Sequence, residues 1–417
     1  MRYLFIIQGE GRGHLTQAIS LRQQLEGAGH EVVAFMVGKS PLRRVPDFFL
    51  RQCGCAEVLP FESPNFLPQA AGKRTALPLS VAYNLLRLPK YLRSIRFIRQ
   101  TIARTQPDVV VNFYELLAGL SYLLCPPSVP MVCIAHQYTF LHPLYTFPPL
   151  SQWRWWERPQ AAAELAALRF FTRLTCAGAS RTLALSLRPM PQHRDIVVVP
   201  PLLRREVLAL TPTRGNYLHG YMLNSSLSTQ VEQWHTLHPD VPLHFFWDKR
   251  EADPVTTIDD NLHFHRLDDI SFLRYMASCR AYATTAGFES VCEALFLGKP
   301  LLLVPTHIEQ ACNAYDTLHL LQEVQGIPQD GSASRAAGIS ASSFDLDRLA
   351  AISSQEADNA SFRHWVRHAE YAFVPLLTGP FHLPSTPSNA RQRIAYGMRH
   401  ALHTAGNYAL NLAHKHG

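Results

Sequence analysis

Several features are missing from this chain. No uncharged apolar stretch approaches the ~20 residues that a membrane-crossing helix needs, so no span is expected. The apolar run over residues 3–7 is too short for the hydrophobic centre of a secretory leader, and a cytoplasmic location is the expectation. The eight cysteines contain no CxxC pair, so neither a zinc site nor a disulfide framework is indicated. Cys53 and Cys55, the one close pair, are read as incidental. Charge is sparse, 17% of residues against ~25% in an average soluble protein. No run of about five or six cations occurs, which excludes a basic arm for nucleic acid.

What is present points to a folded, two-part molecule. At ~100–200 residues per domain, 417 residues suggest two cores. An apolar content of 47% is enough to offset ordering entropy, which excludes disorder for most of the chain. Thirty prolines without a short period exclude collagen and fit many loops. Lys and Arg outnumber Asp and Glu by 39 to 32, a net charge of +7. Such a balance favours anionic partners, namely phosphorylated substrates, acidic lipid surfaces or nucleic acid, the last disfavoured by the lack of a cationic run.

Short apolar runs alternate with helix-like segments. Strands are expected over 2–8, 31–37, 109–111, 131–134 and 196–199, then over 217–223, 243–247, 262–265, 281–283 and 301–304. Continuous apolar strands between helices are what a parallel sheet covered on both faces requires. The expected fold is α/β, with two doubly wound domains at 1–206 and 207–378. A helical tail is expected at 379–417, where Ile394, Met398, Leu402, Ala405, Ala409 and Leu412 recur at roughly helical spacing.

Two segments carry chemistry. The first is Gly9-Glu10-Gly11-Arg12-Gly13-His14, between a strand and a helix. As a dinucleotide fingerprint it fails twice, because His14 stands at the third glycine position and the second strand runs into Val37-Gly38-Lys39 rather than an acid. A P-loop fails too, since Val33 occupies the place of its first glycine. What remains is a loop that lets substrate approach the backbone, with His14 near a helix N-terminus whose positive end favours neutral imidazole.

The second segment runs Thr284-Thr285-Ala286-Gly287-Phe288-Glu289-Ser290-Val291-Cys292-Glu293, with Glu309, Gln310 and Asn313 following the next strand. Here a strand ends, Gly287 is expected to permit a tight turn, and a helix starts. Ser290 in the first turn sits beside unpaired backbone N–H groups, an anion site suited to a diphosphate. Glu293, a turn deeper, can accept the hydroxyls of a ribose, and Glu309 with Gln310 can bind sugar hydroxyls.

The span 287–313 resembles the donor signature of GT-B glycosyltransferases that use UDP-sugars. With Gly11-Arg12-Gly13-His14 it is also similar to the MurG-like enzymes of lipid-linked sugar transfer. The resemblance implies two Rossmann-like domains facing a cleft and an inverting, metal-independent transfer to an acceptor hydroxyl, with no cofactor beyond the nucleotide sugar. It gives the ribose to Glu293, the diphosphate to Gly287 and Ser290, and the transferred sugar to Glu309 and Gln310. Asn224 and Ser225 occupy the place of a glycine-serine phosphate loop but lack the glycine. Glu289 departs from the family's neutral residue.

At the carboxyl ends of the first sheet stand His14, Asn112, Tyr114, Glu115, His136 and Gln137, with Gly11 and Gly13 beside them. These form the expected acceptor side, and His14 or Glu115 is the expected base. Asp259, Asp260, Asp268 and Asp269 are read as loop and helix-start residues, with no metal assigned to them.

A helix opened by Pro89 is expected to turn Leu92, Ile95, Ile98 and Ile102 to the core, with Arg99 inside that stripe and Lys90, Arg93, Arg96 and Arg104 outside it. Together with Trp153, Trp155 and Trp156 it suits a lipid-linked acceptor at the inner membrane surface. A sugar-nucleotide 2-epimerase and a non-catalytic sugar-nucleotide-binding protein are the alternative readings. The sugar and the oligomeric state are left open.

Overall fold

The computed structural model describes residues 1–41, 43–64, 83–222, 228–247, 249, 251–325, 345–354 and 359–381. Two compact units emerge: Met1–Leu202 with the segment that begins at His368, and Leu203–Arg367.

In the first unit, β1 (Arg2–Gln8), α1 (Arg12–Gly27), β2 (Glu31–Lys39), α2 (Asp47–Gln52), β3 (Glu57–Glu62), α3 (Leu88–Thr105), β4 (Val109–Phe113), α4 (Leu116–Leu124), β5 (Met131–Ala135), α5 (Arg158–Thr175), β6 (Arg181–Leu185) and β7 (Ile196–Val199) alternate. The sheet is parallel throughout, in the order β3-β2-β1-β4-β5-β6-β7. Its central strands are buried along almost their whole length, as their continuous apolar sequences require. Chain order reverses between β1 and β4, and ligands of such sheets bind beyond the strand ends at that point.

β3 and β6 were not expected from sequence. β3 carries Pro60, which only an edge strand accommodates readily, and β3 is indeed at the edge. The expected stripe of α3 is corrected as well. Tyr91, Ser94, Ile98, Thr101 and Ile102 face inward, while Leu92 is 55% exposed and Arg99 lies outside. Polar anchors decide the rotation: Ser94 donates to the Glu62 carbonyl at 2.7 Å and Tyr91 to Asn84 at 2.7 Å.

The second unit contains α6 (Arg205–Leu208), β8 (Leu218–Met222), α7 (Ser228–Leu237), β9 (Leu243–Trp247), β10 (Val255–Thr257), β11 (Leu262–Arg266), α8 (Asp269–Ser278), β12 (Ala281–Thr284), α9 (Phe288–Phe296), β13 (Leu301–Leu303), α10 (Ile308–Gln325), α11 (Leu346–Ile352) and α12 (Ala360–Arg367). Its sheet runs β10-β11-β9-β8-β12-β13, with only the short, unforeseen β10 antiparallel. The reversal falls between β8 and β12.

Against one face of this sheet lies a layer of imidazoles. His244 meets His265 ring to ring at 2.9 Å, His219 donates to the His244 carbonyl at 3.0 Å, and His263 stacks on His244 at 4.9 Å. Burial lowers His219 to about 3, and His244 and His265 to about 4 each.

Helix α13 (Ala369–Thr378) returns to the first unit, where Tyr3 donates to the Leu377 carbonyl at 3.0 Å and Phe373 and Leu377 are fully buried. The compact units therefore divide near 202 and 367, whereas the sequence placed boundaries at 206 and 378. The expected tail helix lies outside the described residues.

Candidate active site

The loop after β1 is tight. Gly9 donates its N–H to the Gly38 carbonyl at 2.7 Å, and a Cβ at Gly9 would come within 2.6 Å of Val37. Glycine is thus demanded at Gly9, which opens the motif but was not among the expected acceptor-side residues, where Gly11 and Gly13 stood. Gly11 is the N-cap of α1 with open space around its Cα, and Gly13 and His14 fall in the helix's first turn.

His14 is the hub of the first unit's site. Its Nδ1 lies 3.2 Å from the Gln17 side-chain oxygen, and its Nε2 lies 3.5 Å from the Gln137 amide nitrogen. An oxygen opposite Nδ1 requires the proton there, which leaves the Nε2 lone pair as the basic position. The ring stacks on Tyr114 at 5.5 Å and lies nearly parallel to His136 at 6.5 Å. Four expected residues, His14, Tyr114, His136 and Gln137, therefore come together at the ends of β1, β4 and β5.

Two others are drawn inward, against expectation. Asn112 has no exposed surface, and its amide donates to the Thr175 carbonyl at 2.8 Å, so it makes no acceptor contact. Glu115 also has none. One carboxylate oxygen takes the Ser63 hydroxyl at 2.6 Å and caps α4 through the Leu117 N–H at 3.0 Å. Its other oxygen faces Gly38, where a Cβ would approach to 2.2 Å. Burial raises this carboxyl to about 7, opposed by the Ser63 and Leu117 hydrogen bonds. A fully covered group that caps a helix is a poor base for a substrate, which leaves His14.

In the second unit the turn after β12 takes a form the sequence did not suggest. The left-handed residue is Ala286, with φ of 62°, whereas Gly287 is extended at φ −65°. Asn313 of α10 donates to the Ala286 carbonyl at 3.1 Å. Gln310 accepts from the Thr306 N–H at 2.9 Å and hydroxyl at 2.8 Å, and donates to Thr285 at 3.3 Å. Gln310 was expected on the transferred sugar, but it is 7% exposed and braces the turn. Glu309 is half-buried in the first turn of α10.

Gly287 is the N-cap of α9, and no side chain caps that helix. A Cβ at Gly287 would meet only the Ser290 hydroxyl, at 3.8 Å. Ser290, partly exposed on the first turn, donates to the Gly287 carbonyl at 3.1 Å and neighbours the Thr284 hydroxyl at 3.1 Å. The helix start carries no side-chain cap at Gly287, and backbone N–H groups at such a position suit an anion.

Glu293 has a partner the sequence did not reveal. The Arg204 Nε donates to Glu293 Oε1 at 2.7 Å, Nη2 lies 2.5 Å from the same oxygen, and Nη1 is 3.9 Å from Asp269. Both Glu293 and Arg204 are largely buried, with side chains 2% and 12% exposed. No local pattern could have disclosed Arg204, which lies 89 residues away in a proline-bounded segment.

The remaining acids match their reading. Asp268 caps α8 through the Ser271 N–H at 2.9 Å, and Asp259 accepts from the backbone of Asn261 and Leu262. Asn224 and Ser225 lie outside the described residues.

A family model described as glycosyl transferase family 1 matches residues 1–331. The chain belongs to that family. A search of curated proteins gives no match. Among solved structures, this glycosyltransferase is similar to the spinosyn forosaminyltransferase SpnP, at 16% identity and TM-score 0.52, covering 90% of this chain and 98% of that one. It is also similar to the glycotransferase of kitacinnamycin, at 16% and 0.51 with 98% and 97% covered. A third is UGT2 of Phytolacca americana, solved with UDP-2fluoro-glucose and pterostilbene, at 14% and 0.53 with 89% and 94% covered. The shared architecture is GT-B, and membership of the family sets aside the epimerase and non-catalytic readings.

Proposed function

We propose that this glycosyltransferase moves a sugar from a UDP-linked donor to an acceptor hydroxyl with inversion at the anomeric carbon. The observation that carries the reading is the start of α9. There an uncapped, glycine-led helix follows a braced turn, with Ser290 on its first turn and Glu293 within it. The backbone N–H groups and Ser290 hold the diphosphate, Glu293 takes the pentose, and Glu309 reaches the sugar. In the first unit the Nε2 of His14 accepts the acceptor's proton as its oxygen bonds to the anomeric carbon. The bond to the diphosphate breaks in the same displacement, and the electron pair leaves with UDP. Charge growing on the leaving diphosphate is met by the helix N-terminus, so the step needs no metal. UGT2 of Phytolacca americana, which shares the fold, was solved with a UDP-sugar, and this supports the choice of nucleotide.

The acceptor we propose is carried on an anionic lipid surface. Leu85, Leu86, Leu88 and Leu92 are all more than half exposed around the start of α3, where Lys90, Arg93 and Arg96 are exposed too. Trp155 and Trp156 are also exposed, with Arg154 over the Trp156 ring at 5.4 Å. Apolar side chains among cations suit the boundary between headgroups and acyl chains. Among the described residues no helix is long and apolar enough to cross a membrane.

Thermal shift against a panel of nucleotide sugars, with and without chelator, tests the donor. UDP compounds should raise the melting temperature by mass action whether or not chelator is present. A response confined to another nucleotide, or one restored only by a divalent cation, would reject the reading.

A further inference from the structure

Whether a carboxylate holds a ribose by one hydroxyl or by two depends on how many of its oxygens are unoccupied. An ionised carboxylate offers two oxygens with about two acceptor sites each. A ribose diol that straddles both oxygens needs both to be available. In this glycosyltransferase Arg204 brings two nitrogens, Nε and Nη2, to a single oxygen of Glu293, at 2.7 and 2.5 Å. That oxygen therefore carries one hydrogen bond and a second close guanidinium nitrogen, which together occupy it. Among the described residues no hydrogen bond reaches the other oxygen, Oε2.

The guanidinium is itself fixed from a second side. Its Nη1 lies 3.9 Å from Asp269, the first residue of α8, so rotation that released Oε1 would also give up this contact. Arg204 is the second residue of its unit and precedes α6 directly, which roots its backbone in the same segment. With 12% of its side chain exposed, it has little solvent to replace Glu293 as a partner. Removing either member would leave a buried charge uncompensated, so the pair is strongly held.

We infer that Arg204 is a positioning residue that limits Glu293 to a single pentose hydroxyl. The donor site then reads one of the two ribose hydroxyls and is indifferent to the other, so it accepts a nucleotide lacking the second. This specificity rests on the reading that Glu293 holds the donor's pentose, and the experiment separates the two.

Calorimetry on the full chain with UDP, 2′-deoxy-UDP and 3′-deoxy-UDP provides the test. One deoxy compound should bind within about threefold of UDP and the other at least about tenfold more weakly, the loss expected for a hydrogen bond to a charged group. In R204K, where a single ammonium replaces the fork, the discrimination should relax so that both hydroxyls contribute. In E293Q the discrimination should shrink toward none. Circular dichroism melting of each variant confirms that it is folded.

Tenfold losses for both deoxy compounds in the native protein would overturn the role of Arg204 while leaving Glu293 on the ribose. Native discrimination unchanged in R204K would overturn it as well. Discrimination surviving intact in E293Q, or no loss with either deoxy compound, would instead overturn the assignment of the pentose to Glu293.

Discussion

The two units solve one geometric problem in opposite ways. In each, the chain leaves a central strand at the point of reversal through a non-glycine residue in the left-handed region: Tyr114 at φ 60° after β4 and Ala286 at φ 62° after β12. Each turn is followed by a helix. In the first unit the next residue is Glu115, whose own carboxylate caps α4. In the second it is Gly287, which has no side chain to cap α9. Similar turns thus give a helix start capped by a side chain in one unit and one without a side-chain cap in the other. A helix start without a side-chain cap suits an anion, because the first-turn N–H groups of a helix have no partner within it.

The chemistry divides along the same line. In the mechanism we propose, the first unit, its helix start capped, relies on a side chain, His14, held by Gln17 and Gln137. The second, with no side-chain cap on α9, is proposed to rely on backbone. Removing His14 should have the largest effect. We expect H14A to lower kcat by about 10²–10⁴-fold, the usual worth of a general base, while UDP affinity in calorimetry stays native. Retained turnover would move the base elsewhere.

Capping α9 should come next. In G287D the new side chain has room, since only the Ser290 hydroxyl lies within 4 Å of the added Cβ. The carboxylate should then cap α9 as Glu115 caps α4. Stability should change by no more than a few tenths of a kcal/mol, because Gly and Asp differ little at this position, whereas UDP affinity should fall by roughly ten- to a hundredfold, the worth of one or two charge-assisted hydrogen bonds. Undiminished UDP binding in the folded variant would show that the two helix starts do not differ as described.

The smallest effect concerns pH, and its sign differs between the units. His219, His244 and His265 are lowered by burial, so the unfolded chain binds more protons than the folded one between about 4 and 6.5. The stability of the second unit is therefore full above 6.5 and declines as pH falls toward 4. Glu115 is raised to about 7, and its contribution to the first unit runs the other way, full below 4.5 and lost as pH rises through 7. Hydrogen exchange at pH 7 and pH 5, corrected for intrinsic rates, should show protection lower at pH 5 in β9 and β11 and higher at pH 5 in β4. Equal loss in both sheets would contradict the contrast.

Much of this was legible along the chain because it is local. Buried parallel strands announce themselves as apolar runs, and the strands that lead to the site, β1, β4, β5, β12 and β13, all did. β3 and β10 did not, since they are half-exposed and so lack that signal, and neither did buried β6, whose short run opens on Arg181 and Thr182. The pairing of loops with strand ends followed from the alternation, and it brought His14, Tyr114, His136 and Gln137 to one end of the first sheet. What each of those side chains does was less legible. Asn112 and Glu115 stand within a few residues of Tyr114, yet both turn into the core, and Gln310 braces a turn.

Hydrophobic periodicity and turn chemistry determined the two α/β units, the order of their strands along the chain and the two loops that matter, because those depend on neighbours in sequence. Tertiary structure alone decided that Ala286 rather than Gly287 takes the left-handed conformation, that Glu115 is sealed away, and that Arg204 occupies one oxygen of Glu293. Each of these depends on groups far apart in the chain that meet only after packing. Burial then sets which polar atoms must pair with one another and which remain open to a ligand.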